Sequence, residues 1–174
     1  MRTSLIILIL SAFSILTFAQ EKKQPYDTTA NVRNDIKMAV ENHLDFSSDE
    51  FVTLFKNVNS PYLGLNFDSG NFLRLLDDPI QGLQKLVKYV YATHIKDLKI
   101  QKGVAANEWF FFSCTPIGDG VVDNQKLAQI LQDAGYQGFL AVEIDFLHPD
   151  YKNDEDTAVA KSIKELKRIA ANVK

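Results

Sequence analysis

The stretch Pro61-Tyr-Leu-Gly-Leu-Asn-Phe-Asp68-Ser-Gly-Asn71 carries an apolar, β-prone run onto a carboxylate and follows it at once with a Ser-Gly turn. Such a run reads as a buried strand over 62–68 that delivers Asp68 to a loop at its C-terminal end. The same plan recurs on both sides. Residues 36–42 read as a strand ending near Glu41, residues 91–95 as one carrying His94 near its end, and residues 138–144 as one carrying Glu143. Helical patterns separate them. Ser47-Ser-Asp-Glu50 is a capping box, and Phe51, Leu54, Phe55 and Val58 behind it fall at i, i+3, i+4 and i+7. Asp78-Pro79 opens the next helix, with Ile80, Leu83, Val87 and Val90 inward. Asp123 caps a third, with Leu127, Ile130, Leu131 and Ala134 inward and Gly135 at its C-terminal end. The last, over 154–172, turns Val159, Ile163, Leu166 and Ala170 inward and its lysines to solvent. Strands alternating with single helices at roughly 25-residue spacing describe parallel βαβ units, so the class is α/β. The irregular stretch 99–117, with Trp109-Phe-Phe-Phe112, reads as an extra strand or a lid wall.

The N-terminus follows a different plan. Arg2, an apolar run over 5–18 and the small residues Thr17 and Ala19 match a signal peptide over 1–19. The run falls short of the roughly 20 residues a membrane-spanning helix needs. Export to the periplasm or the extracellular space, with no stable membrane span after cleavage, is therefore expected. Residues 20–34 are polar, contain Pro25, and read as a linker; 35–174 form one domain. With 19 basic and 22 acidic side chains the net charge is −3, and no basic cluster could neutralise a phosphate backbone, so nucleic acid is not an expected partner. The single cysteine, Cys114, excludes an intramolecular disulfide and reads as buried core.

Singly, the strand-end residues say little. A glutamate after a strand is commonly solvated surface, a lone histidine is more often a hydrogen-bonded core residue than a ligand, and an aspartate before Ser-Gly is often a turn residue. Together they say more. Glu41 follows Met38-Ala-Val and Glu143 follows Phe139-Leu-Ala-Val, so each is expected to be partly buried, where an unpaired carboxylate is costly and a cation is an effective partner. Glu41, Asp68, His94 and Glu143 at the ends of parallel strands supply enough donors for one divalent cation and leave room for a substrate.

Val40-Glu-Asn-His43, Leu65-Asn-Phe-Asp-Ser-Gly-Asn71, Thr93-His-Ile-Lys-Asp97, Pro116-Ile-Gly-Asp-Gly120 and Ala141-Val-Glu143 resemble, in order, the second-half motifs of the xylose isomerase-like TIM barrels, the sugar phosphate isomerase/epimerase group. The resemblance covers residues 36–171. It implies the C-terminal half of a (β/α)8 barrel, a partial TIM barrel of four βα units, with Glu41, Asp68, His94 and Glu143 as ligands of a divalent ion. Manganese or magnesium suits this oxygen-rich set, with cobalt or zinc as alternatives. It also implies a small-molecule sugar or sugar derivative as substrate, touched by His43, Asn71 and Lys96, with Asn71 where relatives often have histidine. Glu41 and Glu143 would be the catalytic acid/base pair. They would remove and return a proton beside a carbonyl, while the ion stabilises the resulting enediolate.

The departure from the family is length. A barrel of this kind has eight βα units, and here the signal-like segment runs almost directly into what resembles the fifth strand, so a fragment with impaired activity is one expectation. A non-catalytic metal- or carbohydrate-binding half-barrel is the alternative. The metal-dependent endonucleases of this fold are disfavoured by the acidic balance and by a total of three histidines. Four strands would leave an apolar inner face and unpaired edges, so a homo-oligomer, two copies meeting edge to edge, is expected.

Overall fold

The computed structural model describes residues 9–10 and 36–174. The expected signal peptide and linker lie outside the described residues, residues 9–10 excepted. Ile9–Leu10 forms a short strand, β1, parallel to Ala39 and Val40. The chain then runs β2 (Met38–Glu41), α1 (Ser48–Val58), β3 (Leu63–Asp68), a short α2 (Asn71–Arg74), α3 (Pro79–Leu86) and β4 (Val90–Ile95). A hairpin follows, β5 (Asp97–Ile100) with β6 (Phe112–Thr115), and then α4 (Asn124–Asp133), β7 (Ala141–Val142) and α5 (Glu155–Asn172). The main sheet has the order β1-β2-β3-β4-β7 with every pairing parallel. The result is a TIM-barrel-like α/β fold whose sheet, among the described residues, stays open with β1 and β7 as its edges.

The predicted starts and stops have local causes. Ser47 accepts from the Glu50 amide while the Glu50 carboxylate accepts from the Ser47 amide at 2.8 Å, the reciprocal capping box that opens α1. Asp78 caps α3 by accepting from the Ile80 and Gln81 amides, with Pro79 in the first turn, and Asp123 caps α4 through the Lys126 amide. The excursion over 99–117 contains the extra strand, β6, antiparallel to β5.

Val40, Leu65 and Phe67 point from β2 and β3 into a core with Phe51 and Phe55 of α1, Phe72 of α2, and Leu83 and Leu86 of α3. Burying each such side chain contributes about 1.5–3 kcal/mol. A second cluster, Ile95, Ile117, Ala128, Leu166 and Ile169, fastens α5 to the sheet. Because side chains alternate along a strand, Glu41, Gly64, Asn66 and Asp68 fall on the face away from these helices. That face is small and polar, not apolar as the strand count had suggested. The strand expected over 138–144 is also shorter than its pattern. β7 keeps two residues because the Phe139 carbonyl is taken by the Thr93 and Tyr136 hydroxyls instead of a ladder partner.

Candidate metal centre

Parallel pairing places the C-terminal ends of β2, β3, β4 and β7 side by side. Asp68 is opposite His94 in the β3–β4 register, and the Glu143 amide donates to the Ile95 carbonyl at 3.0 Å, so β7 hands over its glutamate at the same level. One ligand atom each from Glu41, Asp68, His94 and Glu143 lies within 4.8 Å of the others. The four residues singled out in the sequence therefore come together in one cluster.

Each side chain is held. Asp68 is fully buried, and its Oδ1 accepts from the amides of Gly70 (2.8 Å) and Asn71 (2.9 Å). Asn42 clamps the end of β3 to the end of β2: its Oδ1 accepts from the Asp68 amide at 2.8 Å and its Nδ2 donates to the Asp68 carbonyl at 2.9 Å. His94 Nδ1 is 2.5 Å from Glu143 Oε2 and 3.5 Å from Glu41 Oε1. Asn71 Nδ2 donates to Glu41 Oε1 at 3.3 Å. Lys96 Nζ lies 2.9 Å from Asp68 Oδ2 and 2.7 Å from Asp145 Oδ2.

Crowding and burial move the titrations of Asp68 and His94. Burial drives the Asp68 carboxyl up; Lys96 opposes this, Glu143 and Glu41 add to it, and the outcome is about 7. Burial alone would depress His94, but the Glu143 and Glu41 carboxylates beside its ring outweigh that and push it up to about 10. Lys96 likewise loses to burial and gains more from Asp68, Glu143 and Asp145, so it is held above the ordinary lysine value. The site favours cations. The donor set also fits a divalent ion on its own terms: Asp68 Oδ2 and Glu143 Oε2 are buried, close to cationic nitrogens, yet outside hydrogen-bonding geometry with them, so each has lone pairs free for a ligand bond.

The residues linked to substrate by resemblance divide. Asn71 reaches the cluster through Glu41. Lys96 is fully enclosed among carboxylates. His43 stands outside the quartet, stacked on Trp109 with ring centroids 5.2 Å apart. The Arg74 guanidinium lies 4.1 Å from the Trp109 ring centroid and donates to the Trp109 carbonyl at 2.7 Å, and Phe146 packs edge-on to the same indole. This aromatic stretch is thus a wall beside the site as well as the lead-in to β6. Cys114 is buried. Asn42, Arg74 and Asp145 escaped the sequence reading: Asn42 adjoins Glu41 and Asp145 lies two residues beyond Glu143, and that proximity in the chain was the one available signal.

A family model described as xylose isomerase-like TIM barrel matches residues 28–170. Among curated proteins, an inosose dehydratase of Clostridium perfringens is 29% identical over 105 residues, which is 56% of this chain and 35% of that one. The L-ribulose-5-phosphate 3-epimerase UlaE of Escherichia coli is 32% identical over 87 residues, 50% of this chain and 28% of that one. The chain therefore spans about a third of the length of these relatives. Among solved structures, a xylose isomerase domain protein from Planctomyces limnophilus superposes with a TM-score of 0.64 at 24% identity, covering 80% of this chain and 47% of that one. A xylose isomerase-like TIM barrel protein from Mycobacterium smegmatis, solved in complex with magnesium, gives 0.53 at 25%, covering 75% and 45%. With a family model matched across most of its length and the strand-end quartet assembled as its motifs imply, the chain belongs to the xylose isomerase-like TIM barrel family.

Proposed function

We propose that this chain binds one divalent metal ion through Glu41, Asp68, His94 and Glu143 and uses that site to isomerise or epimerise a sugar or sugar derivative. The observation that carries this reading is the convergence of four ligand atoms within 4.8 Å at the C-terminal ends of parallel strands. Manganese or magnesium suits the donors best, with cobalt or zinc also compatible. When bound, the ion supplies Lewis acidity to a carbonyl and its neighbouring hydroxyl. Glu41 and Glu143, both in reach of His94, take the proton from the carbon beside the carbonyl and return it. Asp68, with one oxygen tied to the loop backbone, holds the ion. Asn71 and the His43–Trp109 wall face substrate hydroxyls.

On this reading residues 35–174 form four βα units equivalent to the last four of a (β/α)8 barrel, residues 1–19 direct export, residues 20–34 form the linker, and a second copy completes the assembly. The signal-like pattern over 1–19 and the coverage of roughly half of each matched barrel support it. A second reading, metal or sugar binding without turnover, is favoured by the open sheet. Manganese titration followed by solvent-deuterium incorporation at the α-carbon of a ketose tests both. One ion per chain with exchange is expected; an ion without exchange supports the second reading; no ion contradicts both.

A further inference from the structure

Lys96 is an unexpected neighbour for a cation site, and its surroundings are built around it. Its side chain is fully enclosed, and the ammonium lies 2.7 Å from Asp145 Oδ2, 2.9 Å from Asp68 Oδ2, 3.4 Å from Asn71 Oδ1 and 3.6 Å from Glu143 Oε1. The ammonium donates to Asp145 Oδ2 and Asn71 Oδ1 and faces the Asp68 and Glu143 carboxylates at ion-pair distance. The stem passes over Gly70, where a Cβ would fall 2.7 Å from Lys96 Cγ and 2.9 Å from Leu98 Cδ1, so a larger residue there would displace it. The backbone is pinned as well. Ser69 Oγ accepts from the Lys96 amide and donates to the Lys96 carbonyl, both at 2.9 Å, and Asn124 Nδ2 donates to the same carbonyl at 3.1 Å. The positive charge is thus fixed beside two of the four residues that would ligate a metal.

We infer that Lys96 is a positioning residue, an internal counter-cation that holds Asp68 and Glu143 in place without an ion and weakens the affinity with which they take one. The inference rests on the metal reading above. It follows from two effects of one charge. Without an ion, the ammonium offsets the repulsion among carboxylates confined to a poorly hydrated site. With an ion, the same ammonium repels it at short range, where screening by water is weak. Asp145 moderates this second effect: it draws the ammonium through the shortest of the contacts and adds a negative charge of its own. The device keeps the site formed yet prevents it from becoming a trap for any divalent ion.

The two charges predict opposite shifts. In calorimetric titration of the chelator-stripped chain with manganese alone, Lys96→Met should tighten binding by about tenfold or more, and Asp145→Asn should weaken it by about threefold or more. The metal-free Lys96→Met protein should also melt at lower temperature than the wild type, and the ion should restore it. A purely structural role for Lys96 would make both variants bind more weakly. Should Lys96→Met require the ion to fold, refolding in manganese and competing with a chelator reads the same affinity. Binding by Lys96→Met that is unchanged or weaker, while the wild type binds manganese, overturns the inference and leaves the metal site standing. A wild type that binds no manganese overturns both.

Discussion

Glu143 closes the ligand quartet from just beyond the two-residue strand β7, and a single charge there separates the metal reading from a solvated loop glutamate. Glu143→Gln keeps the volume and removes the charge, so the fold should persist while manganese affinity falls by about tenfold or more and any proton exchange at the ketose α-carbon is lost. Unchanged affinity and exchange would remove Glu143 from the site. Asp68→Asn and His94→Ala should chiefly weaken metal binding, read in the same titration. The titrations of Asp68 and His94 give a pH prediction. An aspartate raised from 3.8 to about 7 makes the metal-free fold lose stability as pH rises through that interval. A histidine raised from 6.5 to about 10 contributes stability that is full below 6.5 and is lost as pH climbs through 10. Metal ligation displaces both protons, so affinity should rise with pH. The gain in melting temperature on adding manganese should accordingly be larger at pH 8 than at pH 6; a smaller gain at pH 8 would contradict this. The quartet was legible because each member is a metal-competent residue at the end of an apolar run. Lys96's partnership with Asp145 was not, because it depends on how the loop after β7 folds back, which no periodicity encodes.

Elements were legible to the degree that one local pattern controls them. The capping box of α1 is written in four consecutive residues and forms as written, so Ser47→Ala should cost about 1 kcal/mol, measured as a lower urea midpoint with unchanged slope. β7 is the counter-example: its pattern spans seven residues, but among the described residues it pairs with β4 alone, and capture of the Phe139 carbonyl by hydroxyls leaves two. The turn over 116–120 combines both situations. Asp97 accepts the amides of Gly118 and Gly120 through Oδ2 (2.9 and 3.0 Å) and those of Val122 and Leu98 through Oδ1 (both 2.9 Å). The Gly-Asp-Gly spelling marked a turn, but not the buried carboxylate that organises it. A Cβ at Gly120 would lie 2.1 Å from Asp97 Oδ1 and 2.5 Å from the Leu98 carbonyl oxygen. Gly120→Ala should therefore destabilise by about 1–3 kcal/mol, because neither neighbour can withdraw without giving up hydrogen bonds. A midpoint equal to that of the wild type would show that the turn is looser than this network.

At the scale of the whole molecule, the parallel sheet of the described residues ends in an open edge at β7. Beside that edge α4, β7 and α5 enclose a groove of about 440 Å³ lined by Leu131, Phe139, Leu140, Val142, Ile163 and Leu166, with Phe139 91% exposed. An unpaired parallel edge next to exposed apolar surface favours association, and a second copy with parallel strands of its own would be a fitting partner. Sedimentation at micromolar concentration should show a dimer or higher oligomer; a well-folded monomer would count against edge-to-edge assembly. Openness was legible in the count of strands. The polar character of the inner face was not read from that count, although Asn66, Gly64 and the ligands themselves occupy its alternating positions. The proposed sharing of one divalent ion by Glu41, Asp68, His94 and Glu143 does not depend on how that edge is covered. Calorimetric titration of the chelator-stripped chain with manganese tests it most directly, wild type beside Asp68→Asn, His94→Ala and Glu143→Gln. One ion per wild-type chain and weakened binding in every variant are expected, whereas no saturable binding, or variants that bind as the wild type does, would rule out a shared ion.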